Sequence, residues 1–281
     1  MVTNNIGFII QARLNSSRLS QKVLLPLPYG SNTCLLDQII QRTRNSKTTH
    51  QVIIATSNNP ENDVLAKIAN KNKVLFFRGP EGDVLQRFYE AATQFKIDTI
   101  VRLTADNPFI DATIIDQALE THITGNYHYT ATSGLPLGTN IEIISYPALA
   151  QAAQAATLPE QREHVTPYIK QNNNIFRQNI IYYKDAAFGA ESWRLTIDND
   201  TDYALACVLY YILYRVNPNF SLYEVATLIR QQPWLTYINR QNIQKRIFNN
   251  LTEELQAGIQ LLKQNDMLNA ASLLADTQNT I

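Results

Sequence analysis

The N-terminal part of the chain contains IIQARLNSSRLSQKVLLPL at residues 9–27, the stretch that is most informative about its architecture. The first residues complete a short apolar run, Gly7 to Ile10. Such runs form buried strands in parallel sheets that are covered on both faces. The run leads directly into a polar loop that carries two arginines, a lysine and several small hydroxyl residues. The stretch therefore predicts a buried first strand with a polar loop at its carboxyl end.

The loop has the composition of a polyphosphate site. Its cations are Arg13, Arg18 and Lys22. Guanidinium groups bind phosphate oxygens in a bidentate way, and a lysine adds a compact point charge. Loop amides can donate to further phosphate oxygens. A solvated basic loop is the alternative interpretation, because short motifs give false positives.

Strands and helices alternate after this loop. Apolar periodicity and helix caps predict strands at residues 51–56, 74–77 and 99–103, with helices at residues 35–44, from Asn59 through Asn70, and from the cap Asp83 to Phe95. This order predicts an α/β fold with a doubly wound, mostly parallel sheet. Ligands bind such sheets beyond the carboxyl ends of the strands. We therefore expect the first loop and Asp106, which follows the fourth strand, to converge.

Asp106 is the first candidate metal ligand. Phosphates would repel a carboxylate that faces the cationic loop unless a divalent cation lay between them. Mg²⁺ favours one or two protein carboxylates together with substrate oxygens. Asp106 is therefore predicted to bind Mg²⁺, with a helix cap as the alternative, whereas the nearby Asp111 is predicted to cap a helix.

A second acidic cluster lies in WRLTIDNDTD at residues 193–202. The β-branched residues of 194–197 predict a strand. Asp198, directly after this strand, is the candidate second ligand of the metal. Asp202 is better placed to cap the helix that follows, because acidic side chains favour the positive end of a helix.

Composition sets the outer bounds. The chain has 281 residues, with 24 basic and 24 acidic side chains, so no global charge attracts nucleic acid or an anionic membrane. Cys34 and Cys207 are too few for a disulfide framework and lack metal-ligand spacing. Neither a signal peptide nor an apolar segment of membrane-spanning length is evident, so a cytoplasmic protein is expected.

The C-terminal part reads as helical. Helices are predicted at residues 221–231 and 241–248, and leucines and isoleucines recur at helical spacing from Leu251 to Leu274. These patterns predict a helical C-terminal appendage over residues 236–281. Two roles stay open, a surface that binds a partner or stabilises a dimer, and a hairpin that packs on its own domain.

Five stretches in register resemble one family. They are IIQARLNSSRLSQKVL from Ile9, RGPEGDVLQRFYEAA from Arg78, VRLTADNPFID from Val101, REHVTPYI from Arg162 and RLTIDNDTDYALA from Arg194. The chain is similar to cytidylyltransferases of the spore-coat polysaccharide biosynthesis protein F type. Their relatives are the synthetases that join CMP to acylneuraminate or to 3-deoxy-manno-octulosonate. The resemblance spans residues 6–235.

The resemblance implies a Rossmann-like nucleotidyltransferase domain over residues 1–235. Its activity would transfer CMP from CTP to an acidic sugar or related acceptor with release of pyrophosphate, for surface polysaccharide or glycoconjugate biosynthesis. It assigns CTP binding to Ala12, Arg13, Ser17, Arg18 and Lys22. Arg13, Arg18, Lys22 and Asp106 would act in catalysis, and Asp106 and Asp198 would hold Mg²⁺.

The resemblance also places the acceptor pocket and the contacts of a homodimer between about residues 127 and 184. Glu142, Arg162 and His164 are the candidate acceptor residues. Arg162 is favoured for an acceptor carboxylate, because its guanidinium can bind both carboxylate oxygens. His164 is as consistent with a structural role as with a contact to the acceptor or to a partner subunit.

The chain departs from the family pattern at several positions. Asn15 replaces a glycine, and Ser20 and Gln21 replace a Pro-Gly pair. Asparagine tolerates positive φ, so Asn15 is expected to preserve the loop. A Gly-Lys pair is missing at residues 30–33. The acceptor motif reads PLGTNIE at 136–142, which loses two acids and keeps Glu142, so a different acceptor, or a different way of binding it, is expected.

Two other classes of function stay open. Asp198-Asn199-Asp200 spells the acid-x-acid pattern of glycosyltransferases that use nucleotide sugars in a similar fold. The arginine-rich loop suits a triphosphate better than a nucleotide diphosphate sugar. The altered loop residues would also suit a catalytically silent nucleotide-binding protein. Release of pyrophosphate separates the transferase from both alternatives.

Overall fold

Four parallel strands form the first part of the sheet in the computed structural model. They are β1 (Ile6–Gln11), β2 (Gln51–Ser57), β3 (Leu75–Gly79) and β4 (Thr99–Thr104). β1 pairs with β2 on one side and β4 on the other, and β3 lies beyond β2. The first five residues of β1 are buried. This part of the sheet confirms the parallel arrangement predicted from the alternating pattern.

Three short strands complete the sheet. They are β5 (Tyr129–Ser133), β6 (Glu142–Ser145) and β7 (Gln178–Tyr182). The strand order is β3-β2-β1-β4-β6-β5-β7. β6 runs antiparallel to both β4 and β5, whereas β5 and β7 are parallel. The carboxyl ends of β4, β5 and β7 therefore lie at the same edge of the sheet.

Helices lie between these strands and after the last of them. They are α1 (Leu35–Thr43), α2 (Asp63–Asn72), α3 (Val84–Gln94), α4 (Ala112–Thr124), α5 (Tyr146–Ala155), α6 (Pro159–His164), α7 (Pro167–Gln171), α8 (Asp200–Leu213), α9 (Leu222–Gln231), α10 (Leu251–Gln264) and α11 (Leu268–Gln278). The predicted caps at Asp83 and Asp111 are confirmed. Asp83 accepts a hydrogen bond from the Gln86 amide, and Asp111 accepts one from the Thr113 amide.

The hydrophobic core lies on both faces of the sheet. On one face, Phe8 and Ile10 of β1 pack in a cluster with apolar residues of α1, α2, α4, α8 and α9. On the other face, Ile9 packs in a second cluster with residues of α3, α5 and α7. Because successive side chains of a strand point to opposite faces, the continuous apolar run of β1 supplies both clusters.

The prediction of a strand at residues 194–197 is wrong. Arg194 forms only an isolated bridge with Leu137. The amides of Leu195 and Ile197 donate to the carbonyls of Leu137 and Asp106, which lie outside the named strands. The β-branched residues do give an extended segment, but its partners are loops rather than a strand.

The structure describes residues 4–16, 18–48, 51–184, 186–242 and 250–278. The chain divides into two compact units, Met1–Asn242 and Ile243–Ile281. Asn239 and Asn242 lie beyond the boundary expected after residue 235, and both donate side-chain hydrogen bonds to Asp202 of the first unit.

The second unit contains a helical hairpin. Its helices, α10 and α11, pack closely, and a Cβ added at Gly258 would lie 3.2 Å from Cδ2 of Leu274. Most of the helix predicted at residues 241–248 falls outside the described residues. Within the described part of the chain, no helix is both long and apolar enough to span a membrane.

Candidate active site

The carboxyl ends of β1 and β4 lie side by side and lead into the polar segments of the site. Gln11 pairs with Thr104 at the last position of both strands, and the Ala105 amide donates to the Gln11 carbonyl over 2.9 Å. Because the two strands are parallel, the first loop and Asp106 leave the sheet at the same edge.

Lys22 connects the first loop to both acidic segments. Its Nζ donates to Oδ2 of Asp106 over 2.9 Å, to Oδ1 of Asp198 over 3.0 Å and to the carbonyl of Ile197 over 2.8 Å. An ammonium group has three N–H donors, so each of them has an acceptor. The residue is only 9% exposed. We call Lys22, Asp106 and Asp198 the Lys22 cluster.

Asp106 is held on two sides. Oδ1 accepts a hydrogen bond from the Thr104 hydroxyl over 2.6 Å, while Oδ2 accepts from Lys22. Burial alone would raise the pKa of Asp106. The charge of Lys22 and the hydrogen bonds from Thr104 and Lys22 outweigh burial and lower the pKa. The carboxylate is therefore ionised at neutral pH, as a metal ligand or phosphate-site acid requires.

Asp198 receives two guanidinium groups in addition to Lys22. Nη2 of Arg18 lies 3.0 Å from Oδ1, and Nη2 of Arg194 lies 2.6 Å from Oδ2. Nε of Arg194 also donates to Oδ1 of Asp202 over 2.9 Å. Asp202 accepts the backbone amides of Asp198 and Asn199. The N-cap residue of α8 is Asn199, and Asp202 lies at the third position of the helix as its capping-box partner, so the prediction that Asp202 is the cap itself is wrong. Arg194 thereby fixes the distance between the two carboxylates.

Asp200 does not join this arrangement. It is exposed at the first position of α8, where its Oδ1 accepts the Thr201 amide. Burial would raise the pKa of Asp202, but hydrogen bonds from Arg194, Asn242 and Asn239 lower it. Of the three acids in this segment, Asp198 alone belongs to the Lys22 cluster.

The other loop residues differ in exposure. Ala12 is buried, and its amide extends the sheet by donating to the Ala55 carbonyl. Arg13 is exposed, and burial together with the charge of Arg13 lowers the pKa of Arg87 on α3. Arg18 reaches Asp198, as described above. Ser17 lies outside the described residues. Arg13 and Arg18 thus present cationic groups to solvent at the edge of the sheet.

The turn in the loop lies at Gln21 rather than at Asn15. Gln21 has φ 52°, whereas Asn15 is not among the described residues with positive φ. The Gln21 amide donates to the Leu14 carbonyl over 3.1 Å, and the Leu14 amide donates to Oδ1 of Asn62. The expected role of Asn15 is therefore wrong. Gln21, the left-handed residue, occupies the position of the glycine in the Pro-Gly pair of the family pattern.

Glu142 lies at the first position of β6, opposite Arg102 of β4. Oε2 accepts from Arg102 over 2.6 Å, and Oε1 accepts from Tyr129, Thr166 and Lys170 over 2.5, 3.0 and 2.7 Å. Burial alone would raise the pKa of Glu142, but the charges of Arg102 and Lys170 and hydrogen bonds from Lys170 and Tyr129 lower it to about 2. Both carboxylate oxygens therefore have partners within the protein.

Arg162 and His164 lie in α6. Nη1 of Arg162 is 3.2 Å from Oδ2 of Asp83, and both side chains are partly exposed. His164 ends the helix, and the buried Val165 follows with φ 71°, a rare conformation for a β-branched residue. Among the described residues, neither these two side chains nor Glu142 forms a hydrogen bond or ion pair with the Lys22 cluster.

Arg194 is a site residue that sequence reasoning missed. It lies four positions before Asp198 in an extended segment, and residues separated by an even number share one side of such a segment. That spacing, together with the opposite charges, is the signal that predicts contact. Thr104 was also missed, although it ends the strand that leads to Asp106.

Comparisons with known proteins agree with this geometry. A family profile described as "Cytidylyltransferase" matches residues 7–271. The spore coat polysaccharide biosynthesis protein SpsF of Bacillus subtilis is 37% identical over 235 residues, which cover 82% of this chain and 96% of that protein. The 3-deoxy-manno-octulosonate cytidylyltransferase of Chlorobaculum parvum is 29% identical over 116 residues, 41% of this chain and 44% of that protein.

A solved structure agrees as well. The cytidylyltransferase of Leptospira borgpetersenii serovar Hardjo-bovis superimposes with a TM-score of 0.77 at 31% identity, covering 86% of this chain and 99% of that one. The doubly wound sheet is thus a nucleotidyltransferase fold, and the chain belongs to the cytidylyltransferase family.

Proposed function

We propose that this enzyme transfers CMP from CTP to a hydroxyl group of an acidic sugar. The acceptor oxygen forms a bond to the α-phosphorus. The bond between the α-phosphorus and the oxygen that bridges to the β-phosphorus breaks, and its electron pair leaves with pyrophosphate. The Lys22 cluster carries this proposal, because it combines a lysine and two carboxylates at the edge of the sheet where ligands bind.

The cations of the first loop would bind the triphosphate. Arg13 and Arg18 are exposed at this edge, and each guanidinium can donate two parallel hydrogen bonds to phosphate oxygens. Lys22 can add a third positive charge near the α-phosphate. Positive groups that are fixed in advance stabilise the charge that develops on the bridging and leaving oxygens. No separate general base is needed if the acceptor hydroxyl loses its proton to solvent.

The residues fit a magnesium ion. Asp106 and Asp198 each direct one oxygen at the same Lys22 Nζ, so the two oxygens lie no farther apart than the two hydrogen bonds together reach. Carboxylate oxygens are the protein ligands that Mg²⁺ prefers. When bound, Mg²⁺ would neutralise charge on the phosphate oxygens. Asp106 and Asp198 would hold it.

The acceptor would bind toward β5 and β7. A cavity of about 590 Å³ opens near the ends of these strands, and its lining includes Ser133, Tyr182, Tyr183 and Lys184. The carboxyl ends of β5 and β7 lie at the same edge as Asp106. Lys184 supplies a positive charge for a sugar carboxylate. Arg162 is a second candidate, provided that the acceptor displaces Asp83.

Glu142 would support the acceptor side indirectly. Its four partners join β4, β5 and the segment from Thr166 to Lys170. We therefore propose that Glu142 fixes the position of the segment from Thr166 to Lys170. Direct contact between Glu142 and the acceptor is the alternative. The similarity to a 3-deoxy-manno-octulosonate cytidylyltransferase supports an acceptor that carries a carboxylate. The family resemblance supports a cytoplasmic homodimer. Light scattering of the purified protein would test the dimer.

The decisive experiment is magnesium-dependent release of pyrophosphate. Each of the four nucleoside triphosphates is offered with a panel of 2-keto sugar acids and sugar phosphates. We expect release with CTP and one acid acceptor. Asp106→Ala should lower the rate by roughly 10²–10³, as the loss of one transition-state contact does elsewhere. Asp200→Ala is the matched control, because Asp200 is exposed and outside the Lys22 cluster, and it should keep the wild-type rate.

Other outcomes would favour the alternatives. Absence of pyrophosphate release, together with sugar transfer from a nucleotide sugar that is lost in Asp200→Ala, would support a glycosyltransferase with an acid-x-acid site. Tight binding of CTP without turnover on the whole panel would support a nucleotide-binding protein or a missing acceptor. Absence of CTP binding would contradict the assignment of Arg13 and Arg18 to the triphosphate.

A further inference from the structure

Lys22 occupies the space between the two acids that would hold a metal ion. Its Nζ lies within hydrogen-bond distance of both Asp106 and Asp198, and its third hydrogen bond goes to the Ile197 carbonyl. No N–H of the ammonium is left for a phosphate oxygen. In this arrangement Lys22 can act on a phosphate only after it gives up at least one of these acceptors.

The carboxylate oxygens are engaged too. Oδ1 of Asp106 accepts from Thr104, and Oδ2 of Asp198 accepts from Arg194. Arg18 shares Oδ1 of Asp198 with Lys22. A cation that bound here would have to displace existing donors from both acids.

The charges of the site already balance. The ion pairs link the carboxylates of Asp106, Asp198 and Asp202 to the positive groups of Lys22, Arg18 and Arg194. A divalent cation that enters this neutral group alone meets no net negative charge, and it must compete with three cations for the carboxylate oxygens. A triphosphate changes the balance, because its negative oxygens can attract Lys22 and Arg18.

We propose that Lys22 stands in for the metal ion in the nucleotide-free enzyme, so that Asp106 and Asp198 bind the divalent cation only when a triphosphate draws the ammonium away. This inference rests on the proposed function, since it takes the triphosphate as the ligand of the first loop. Binding of metal and nucleotide is then coupled, and each raises the affinity for the other by the same factor. The enzyme takes up the metal together with the nucleotide.

Manganese binding to the nucleotide-free protein tests the inference directly. Mn²⁺ is the probe, and electron paramagnetic resonance measures the free ion. We expect Lys22→Met to bind Mn²⁺ at least about tenfold more tightly than the wild type in the absence of nucleotide, a typical size for coupling between sites. The tight binding should vanish in Lys22→Met with Asp106→Ala. Equal affinity of the wild type and Lys22→Met, or tight binding that survives in the double variant, would overturn the proposal.

A matched control removes the same charge elsewhere. Lys71 pairs with the buried carboxylate of Asp37 over 2.8 Å, on a different part of the surface. Lys71→Met should keep the wild-type affinity for Mn²⁺. If it gained affinity as Lys22→Met does, net charge rather than the position of Lys22 would explain the effect, and the proposal would fall.

A second measurement uses the unaltered protein. Addition of CTP should raise the affinity of the wild type for Mn²⁺ by at least about tenfold after correction for Mn²⁺ bound to free nucleotide. This arm decides the question if Lys22→Met does not fold, and an unchanged affinity with bound CTP would overturn the proposal. The nucleotide-free arm contains no CTP. It therefore gives its answer even if the enzyme uses another nucleotide and the proposed function fails.

Discussion

At the scale of single residues, Glu142 shows how a buried acid links stability to pH. Its pKa in the folded protein is about 2, below the ordinary value of 4.5. A lowered pKa contributes stability that is complete above about pH 4.5 and is lost as the pH falls toward 2. The full shift corresponds to about 3 kcal/mol, and about 2 kcal/mol of this should be lost between pH 6 and pH 3.

Glu142→Gln tests this link. The variant should be less stable at pH 6, because Arg102 and Lys170 lose their charged partner. Its unfolding free energy should also fall less than that of the wild type between pH 6 and pH 3. Urea unfolding at the two pH values measures both effects. Glu120→Gln, the same change at an exposed position of α4, serves as the control. Identical pH dependence of Glu142→Gln and wild type would contradict the assignment.

Arg194 provides a second prediction at this scale. Its side chain is 7% exposed and joins Asp198 to Asp202. Removal of one partner from a buried ion pair leaves the other charge uncompensated, at a cost of about 3–5 kcal/mol. We expect Arg194→Met to lose that much unfolding free energy in urea. Arg215→Met, at an exposed arginine, should change little. A loss below about 1 kcal/mol at Arg194 would show that the network is not rigid.

At the scale of elements, the loop after β1 carries backbone strain at Gln21. A left-handed φ costs a residue with a Cβ about 1–2 kcal/mol, whereas glycine adopts it freely. Gln21→Gly should therefore stabilise the protein by about 0.5–1 kcal/mol, in spite of the greater flexibility of glycine in the unfolded chain. Gln41→Gly is the control, because Gln41 is exposed within α1. That change should destabilise by about 1 kcal/mol. Thermal unfolding compares the two.

The elements also show where prediction from sequence succeeds. β1, β2 and β4 are buried on both faces, so their apolar runs suffice to predict them. β6 has only four residues and lies antiparallel between β4 and β5, an order that is set by tertiary packing rather than by local pattern. The segment at 194–197 shows the opposite case. Its β-branched residues favour an extended backbone, yet its amides bond to the loop residues Leu137 and Asp106.

The candidate site divides in the same way. The charges of Arg13, Arg18 and Lys22 identify the loop from sequence alone. That Lys22 reaches Asp106 and Asp198 together depends on two parallel strands and on the extended segment, which bring residues distant in sequence to one edge. Glu142 was predicted by motif, but its four partners come from three parts of the fold. Local patterns therefore identify the groups, and topology determines their contacts.

At the scale of the whole molecule, the first unit holds every residue of the proposed site. The Lys22 cluster and the Glu142 network lie within residues 1–242, as do both hydrophobic clusters. A chain that ends at Asn242 should therefore fold and release pyrophosphate at a rate close to that of the full chain. Circular dichroism and the pyrophosphate assay measure this. Loss of activity in a folded truncated chain would assign a catalytic contribution to the second unit.

The second unit should behave differently on its own. Among its described residues only Ala271 is buried, and its helices have 14 and 11 residues. Isolated helices shorter than about 12–15 residues are marginal in water. A peptide of residues 250–278 should therefore show little helix by circular dichroism. A stable helical peptide would indicate that the hairpin associates with itself.

The contact between Lys22 and Asp198 also sets an order of events during synthesis. The two residues are 176 positions apart, so a ribosome that adds about 5–20 residues per second needs roughly 10–35 s to progress from one to the other. For that time the first loop exists without Asp198, which pairs with both Lys22 and Arg18. We expect trypsin to cut nascent chains after Arg18 until Asp198 has emerged, and to cut there more slowly afterwards. The nucleotide site is then among the last parts of the enzyme to become resistant to proteases.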